Sequence, residues 1–339
     1  AENTAFSAVS TDTRTIQPGD LFFALSGEQF DGNTFVDAAM AAGAVAAVCS
    51  RPTPGTPCLV VPNPLAALQR FAAWHRMQYP VTVFALTGSC GKTTTKDLIA
   101  ALLSSRYNVI KTKGNLNNDI GCPLSLLTIM PDTEKAVIEL GANHPGEIAD
   151  LCRIAQPDEV AVTLVAPAHL EGFGTIENVA AAKEEIVQGV KPGGIFYVNT
   201  DSPWCRAMGE RHAGPKIYFG GTGDIALRDC SFADDGEMLL DIDPIGRVKL
   251  PLSVRAHASN VLLAVAVARQ HGIIVDEALL REACQALNRF KIYRVGPIEI
   301  LDDAYNANPA SMAASLQALA DRPLSGKRIA ALGSMLELG

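Results

Sequence analysis

The sequence predicts an α/β protein of three units: a small N-terminal α/β unit, a central doubly wound sheet on a phosphate loop, and the start of a third α/β unit. Three observations point there. Short apolar runs rich in β-branched residues alternate with amphipathic helical stretches along most of the chain, the pattern of parallel strands covered by crossover helices. The stretch LTGSCGKTTTKDLI (86–99) places glycines, a lysine and three threonines between one such strand and one such helix. At 339 residues the chain also exceeds one typical domain.

Residues 1–80 contain the strand candidates DLFFAL, AAVCS and PCLVVPNP, with TFVDAAMAAGA as a helix ending near glycine. PLAALQRFAAWHRMQYP then reads as a helix closed by proline, where the first unit ends. Across 81–293 the strands are VTVFALT, NVIKT, KAVIELG, EVAVTLV and GIFYVNT, separated by helices such as TTTKDLIAALLSS and IENVAAAKEEIVQGV. IYFGG and EMLLDIDPIGRVKLPL add a strand or hairpin section, and HASNVLLAVAVARQHG and DEALLREACQAL add two helices. In 294–339, PIEILDDA reads as a strand, NPASMAASLQALADRP as a helix with proline near its start, and RIAALGS as a second strand. One βαβ unit cannot cover its own sheet faces, so this third unit is expected to be incomplete.

Composition narrows the function classes. A chain 48% hydrophobic and 19% charged has ample core material. Its net charge of −8 argues against a general nucleic-acid binder, so an anionic ligand must be met by local lysines, arginines and helix ends. The eight cysteines form no C-x-x-C pair and no zinc spacing, as expected of reduced thiols in the cytosol. No apolar run approaches the ~18 residues of a membrane span. AENTAFSAVS has neither the basic start nor the apolar core of a signal peptide. The expectation is a cytoplasmic protein without membrane insertion.

The chemistry concentrates after strand ends, where open parallel sheets bind ligands. In LTGSCGKTTTKDLI a glycine turn exposes N–H groups, and the helix start adds unpaired donors and the positive end of its dipole. Lys92 supplies a point charge, and the Thr93 hydroxyl suits a magnesium ion. The strict G-x-x-x-x-G-K-[ST] pattern does not fit, because Leu86 stands where glycine is required and only Ser89 and Cys90 separate Gly88 from Gly91. GNLNNDIG (114–121) is a loop with three asparagines and Asp119. Glu139 ends a strand, where an acid near a phosphate loop commonly serves magnesium. His169 and Glu171 in PAHLEGFG follow another strand, which suits metal or substrate contact. By helical periodicity alone, Lys183 reads as a solvated lysine on an amphipathic helix.

Together TGSCGKTTT, GNLNNDIG, AVIELGANHPGEI, AHLEGFG, AAKEEI, LDDAYNANPASM and LGSMLELG resemble the Mur ligases, and STDTRTIQPGDLFFALSGEQFDGNTF extends the likeness across nearly the whole chain. That family uses the shortened T-G-x-x-G-K-T loop. GNLNNDIG and AHLEGFG match the member that adds a dipeptide, rather than the ligases of earlier steps. The resemblance implies a UDP-sugar-binding domain in 1–80, an ATPase domain in 81–293, and an incomplete Rossmann-like domain in 294–339. Family members begin roughly twenty residues earlier and continue further, so the chain is expected to be clipped at both ends. The implied activity is ATP-dependent amide ligation of D-Ala-D-Ala to UDP-MurNAc-tripeptide, through an acyl phosphate, by a monomer using ATP and two Mg2+ sites.

Carried onto this chain, the resemblance assigns the phosphates to Gly88, Ser89, Cys90, Gly91, Lys92, Thr93 and Thr94. It assigns one metal to Thr93 and Glu139, a second to His169, and a carbamate to Lys183. Asn260 would meet adenine, Arg294 the transferring phosphate and Asp303 the ribose. Thr13, Arg14, Asp31 and Gly32 would meet the UDP-sugar, and Asn143, His144, Tyr305, Asn306 and Asn308 the peptide or dipeptide. Three departures stand out: VRAHASN (254–260) replaces G-R-H-N-x-x-N, Tyr293 replaces the glycine before Arg294, and Ser334 replaces an aspartate. Two alternatives stay open: a catalytically silent nucleotide- or UDP-sugar-binding form, and a related Mur or folylpolyglutamate-type ligase.

Overall fold

The computed structural model describes residues 4–27, 29–287, 289–323 and 326–335. The first unit is a parallel sheet of β1 (Val9–Ser10), β2 (Leu21–Phe23), β3 (Ala46–Cys49) and β4 (Cys58–Val60), in that spatial order. A 3-10 turn at Gly32–Phe35 leads into α1 (Val36–Ala41), and α2 (Pro64–Met77) follows, capped by the Asn63 side chain. Successive side chains of a strand face opposite ways. Phe22 therefore packs with Val36 and Ala39, whereas Phe23 packs with Val48 and Leu68 of α2. α2 also reaches the second unit: Arg76 is buried, donating to the Ala155 carbonyl at 3.1 Å and to Asp158 at 2.9 Å.

The second unit runs β5 (Thr82–Thr87), α3 (Lys92–Ser104), β6 (Val109–Lys111), α4 (Gly121–Leu126), β7 (Lys135–Glu139), α5 (Glu147–Ala155) and β8 (Glu159–Val162). It continues through α6 (Leu170–Phe173), α7 (Ile176–Gln188), β9 (Ile195–Asn199), α8 (Pro203–Arg211) and β10 (Lys216–Gly220). β11 (Ile225–Phe232), β12 (Met238–Asp243), β13 (Gly246–Leu250), α9 (His257–Gln270) and α10 (Glu277–Gln285) complete it. The nine strands lie in the order β13-β12-β11-β10-β9-β8-β5-β7-β6, parallel from β6 to β11 and antiparallel from β11 to β13.

The parallel strands are apolar on both faces because helices cover both. In β5, Phe84 and Leu86 pack with Leu98 and Leu102 of α3 and with Val261 of α9. Val83 and Ala85 join Leu151 of α5 and Val179 of α7 on the other face. β5 is third from the β6 edge, with β7 and then β6 on one side and β8 on the other. This is a topological switch point, where diverging loops open a crevice at the strands' carboxyl ends. β11 was not foreseen: IALRDCSF mixes polar and apolar residues and is half-exposed in the antiparallel extension.

The third segment differs from expectation. β14 (Lys291–Val295) and β15 (Ile298–Asp302) form a two-stranded antiparallel hairpin, followed by α11 (Pro309–Asp321) with an Asn308–Ser311 capping box. Arg294, where this unit was expected to start, lies inside β14. RIAALGS is not a strand. Its residues have no regular structure and Ile329 is 80% exposed, because a lone segment without a ladder partner leaves its backbone groups to water. The last four residues of LGSMLELG lie outside the described residues. Among the described residues, no helix is long and apolar enough to cross a membrane.

Candidate functional site

A cleft of about 1010 Å³ opens at the switch point, and the stretch between β5 and α3 forms its floor. Gly88 and Gly91 turn the chain there with φ of 147° and 81°. A Cβ on Gly88 would lie 2.0 Å from Thr163 Oγ1, and one on Gly91 2.7 Å from Asn260 Oδ1. Glycine is therefore required by both conformation and space. The loop is anchored to the segment after β8. Ser89 N donates to Leu164 O at 2.8 Å, Ser89 Oγ to Ala166 O at 2.7 Å, and Thr163 Oγ1 to Cys90 O at 2.6 Å. These bonds hold Ser89 and Gly91 at the N-terminal end of α3, where free N–H groups and the helix dipole favour an anion.

Lys92 opens α3, and its Nζ donates to Gly88 O at 2.6 Å. Burial lowers its pKa, opposed by the Glu139 carboxylate and reinforced by Arg289. Thr93 Oγ1 donates to Glu139 Oε2 at 3.1 Å, because β5 and β7 are in register with Leu86 opposite Glu139. Asn117 of GNLNNDIG donates to the other oxygen, Glu139 Oε1, at 2.8 Å, and Thr112 Oγ1 accepts from Glu139 N at 3.0 Å. Glu139 is 2% exposed, with Lys96 Nζ at 3.8 Å. Asn117 and Thr163 are cleft residues that the sequence reading did not single out. Asn117 lay in a recognised loop, while Thr163 showed no signal beyond following a strand.

Lys183 corrects the periodicity reading. It is 2% exposed, and burial together with the charge of Lys92 pushes its amine down to about 7, against the pull of Glu147 and Glu185. Its Nζ sits 5.4 Å from the Phe173 ring centroid. The helix face that looked solvent-directed is covered by α6. His169 caps α6 in a left-handed conformation, φ 52°, and lines the cleft.

Other candidates divide sharply. Asn260, Asp303, Tyr305, Asn306 and Asn308 line the same cleft as Thr94. Asn308 also touches the loop, its Nδ2 donating to Cys90 Sγ at 3.1 Å. Asn143 lines the cleft, whereas His144 is exposed. Both donate backbone N–H groups to Glu147, whose carboxyl lies below its usual range despite burial. Arg294 does not line it: its exposed guanidinium meets Glu299 at 3.4 Å. Arg289 lines it instead. Thr13, Arg14, Asp31 and Gly32 lie away from this cleft. Arg14 pairs with Asp12 at 2.6 Å and Asp31 with Arg51 at 2.6 Å, while Asp31 also caps the 3-10 turn. The first unit contributes Gln69 of α2, which donates to Asp119 O at 3.1 Å.

The paired oxygens of Thr93 and Glu139 suit a hard divalent cation. Among the described residues no group of three or more His, Cys, Asp or Glu converges. Magnesium usually binds one or two protein oxygens, with water and substrate phosphates completing its shell. The residues therefore fit such an ion.

Comparison with known proteins agrees with this layout. Residues 86–268 match the Mur ligase middle domain, 5–73 the Mur ligase family catalytic domain, and 288–339 the Mur ligase glutamate ligase domain. The chain is 41% identical to the UDP-N-acetylmuramoyl-tripeptide--D-alanyl-D-alanine ligase of Escherichia coli, over 98% of this chain and 75% of that protein. It is 35% identical to the same-named ligase of Bacillus subtilis, over 100% and 75%. A crystal structure of MurF from Acinetobacter baumannii superposes with a TM-score of 0.90 at 34% identity, covering 98% of this chain and 74% of that one. MurF ligase from Thermotoga maritima in complex with ADP gives 0.88 at 32%, covering 99% and 79%. The phosphate loop, the acid at the switch point and three consecutive domain matches converge on one conclusion: this chain belongs to the Mur ligase family.

Proposed function

We propose that the chain is an ATP-dependent ligase that forms an amide bond between D-Ala-D-Ala and UDP-MurNAc-tripeptide. The observation that carries this is the anchored loop Gly88–Thr93 facing Glu139 at the switch point, in a chain that aligns over 98–100% of its length, and 75% of theirs, with ligases of that name. The tripeptide carboxylate attacks the γ-phosphorus of ATP, the bond to ADP breaks, and an acyl phosphate forms. The amine of D-Ala-D-Ala then attacks the acyl carbon, and phosphate leaves. The demand is for alignment and charge neutralisation rather than a protein nucleophile.

Lys92 and the loop N–H groups bind the β- and γ-phosphates. Thr93 and Glu139 would hold magnesium, with Asn117 fixing the carboxylate; the ion neutralises phosphate charge when bound. His169 and Lys183 would serve a second ion. Lys183 is suited to carry a carbamate, since burial keeps much of its amine neutral and nucleophilic near pH 7. Asn260 and Asp303 contact the nucleoside. Asn143, Tyr305, Asn306 and Asn308 face the peptide end, with His144 beside them, and residues 1–80 hold the UDP-sugar through Thr13, Arg14, Asp31 and Gly32. We place this work in the cytoplasm, with the ATPase unit in 81–287 and the closing unit from β14 onward, acting as a monomer.

The test is phosphate release from ATP and Mg2+, with each acceptor present or omitted. Release that needs both acceptors, and that stops on chelation with EDTA, is the expected result; release indifferent to either acceptor refutes the ligase. For the carbamate, Lys183→Ala should lose activity and regain part of it with added short carboxylic acids. A silent nucleotide-binding form is the second reading, favoured by Arg294 facing Glu299 rather than the cleft. ADP or ATP binding with no release under any condition would select it.

A further inference from the structure

The proposed reaction gives duties to Lys92 and Lys183, yet α3 carries another buried lysine. Lys96 stands one turn after Lys92 and is 2% exposed. It lines not the main cleft but a second one of about 850 Å³, which Thr93 also lines. A buried ammonium is costly unless it is paired, and the surroundings of Lys96 show its partner.

Lys96 Nζ donates to Gly114 O at 3.4 Å and lies 3.7 Å from Asp97 Oδ1 and 3.8 Å from Glu139 Oε2. Asp97 has a closer cation, Lys111 Nζ at 2.7 Å. That leaves Lys96 as the counter-ion of Glu139. The oxygen it faces, Oε2, is the one that accepts from Thr93 Oγ1 at 3.1 Å. Two ammoniums and two carboxylates therefore balance within this cluster. A divalent cation held by Thr93 and Glu139 would meet a carboxylate that Lys96 already neutralises, and like charges this close repel strongly in a buried site.

We propose that Lys96 sets the metal affinity of this pair low, so that Thr93 and Glu139 take a divalent cation only together with a nucleotide, whose phosphates add the missing negative charge. The inference rests on the reading of Thr93 and Glu139 as a metal pair. Lys96 is a positioning residue here: it acts through Glu139, touches no substrate and transfers no proton.

The test is Mn2+ binding to the full chain, with and without ADP, read by water-proton relaxation enhancement, which distinguishes protein-bound Mn2+ from the ion on free nucleotide. Wild type alone should bind Mn2+ in the millimolar range or weaker, and ADP should tighten it about tenfold or more. Lys96→Gln, which keeps a hydrogen-bond donor without the charge, should raise Mn2+ affinity about tenfold or more in both conditions. Lys96→Arg should stay near wild type. The sign excludes a merely structural role, because loosened packing around Glu139 would weaken the ion instead. Unchanged or weaker Mn2+ binding by Lys96→Gln with a wild-type circular dichroism spectrum overturns the proposal. So does wild type binding Mn2+ as tightly without ADP as with it, an arm that needs no variant to fold. Glu139→Gln separates the two levels: if it keeps wild-type Mn2+ binding with ADP, the metal-pair reading itself fails.

Discussion

Lys92 lines the cleft, whereas Lys183 is buried, close enough for the charge of Lys92 to act on it. Lys92 folds back onto Gly88 O at 2.6 Å, a bond that a bound phosphate would replace. Lys92→Ala should abolish ATP turnover while leaving the melting temperature and circular dichroism close to wild type, because α3 keeps its register. Lys183 lies in the core with its amine shifted from 10.5 down to about 7. Between those values the unfolded chain binds a proton that the folded chain does not, so this residue makes stability rise with pH from about 7 to 10.5. Chemical unfolding of wild type and Lys183→Met across that range should show a rising component that the variant lacks. The periodicity of AAAKEEI predicts a helix and nothing more. Whether its lysine meets water or Phe173 depends on how α6, the short helix just before it, folds back over it.

At the scale of elements, the phosphate loop is a turn that can take only one shape. It is bounded by β5, by α3 and by the segment after β8, and Thr163 Oγ1 fills the space beneath Gly88. Gly88→Ala should destabilise the protein by roughly 1–3 kcal/mol and weaken nucleotide binding, measured together by thermal melting with and without ADP. An unchanged melt would mean that the loop is not held this tightly. The loop was legible in the sequence because its chemistry is local: glycine for the turn, lysine for charge, threonine at the helix start. Glu139 was legible because a strand ended there. RIAALGS failed as a strand for the converse reason, since its apolar run is real but a strand exists only with a neighbour to pair with.

At the scale of the molecule, α2 joins the first unit to the second by apolar packing, with Leu68 near Leu124 and Leu127 and Ala72 in the second unit's core, and by a few polar contacts. Arg76 of α2 is buried against the second unit with Asp158, which Lys191 also holds at 2.9 Å. Arg76→Ala would strand the Ala155 carbonyl and should cost about 2–3 kcal/mol, read from urea unfolding, with no effect on ADP affinity. Loss of affinity without loss of stability would instead make Arg76 part of the site. The third segment docks by Arg255 on Asp321 at 2.9 Å and by Arg322, which donates to Ser253 Oγ at 3.3 Å and to Gly236 O at 3.4 Å, and Tyr305 and Asn308 line the cleft beside the loop.

The sequence by itself determined the fold class, the order of most elements and the identity of the phosphate loop, because each depends on residues within one turn or one strand. Only the tertiary structure decided which side chains share the cleft. It brought Asn117 and Thr163 in, buried Lys183, and exchanged Arg294 for Arg289. The physical reason is that a side chain's surroundings come from elements distant in sequence. Strand register and helix packing set them, and no local pattern encodes that sum.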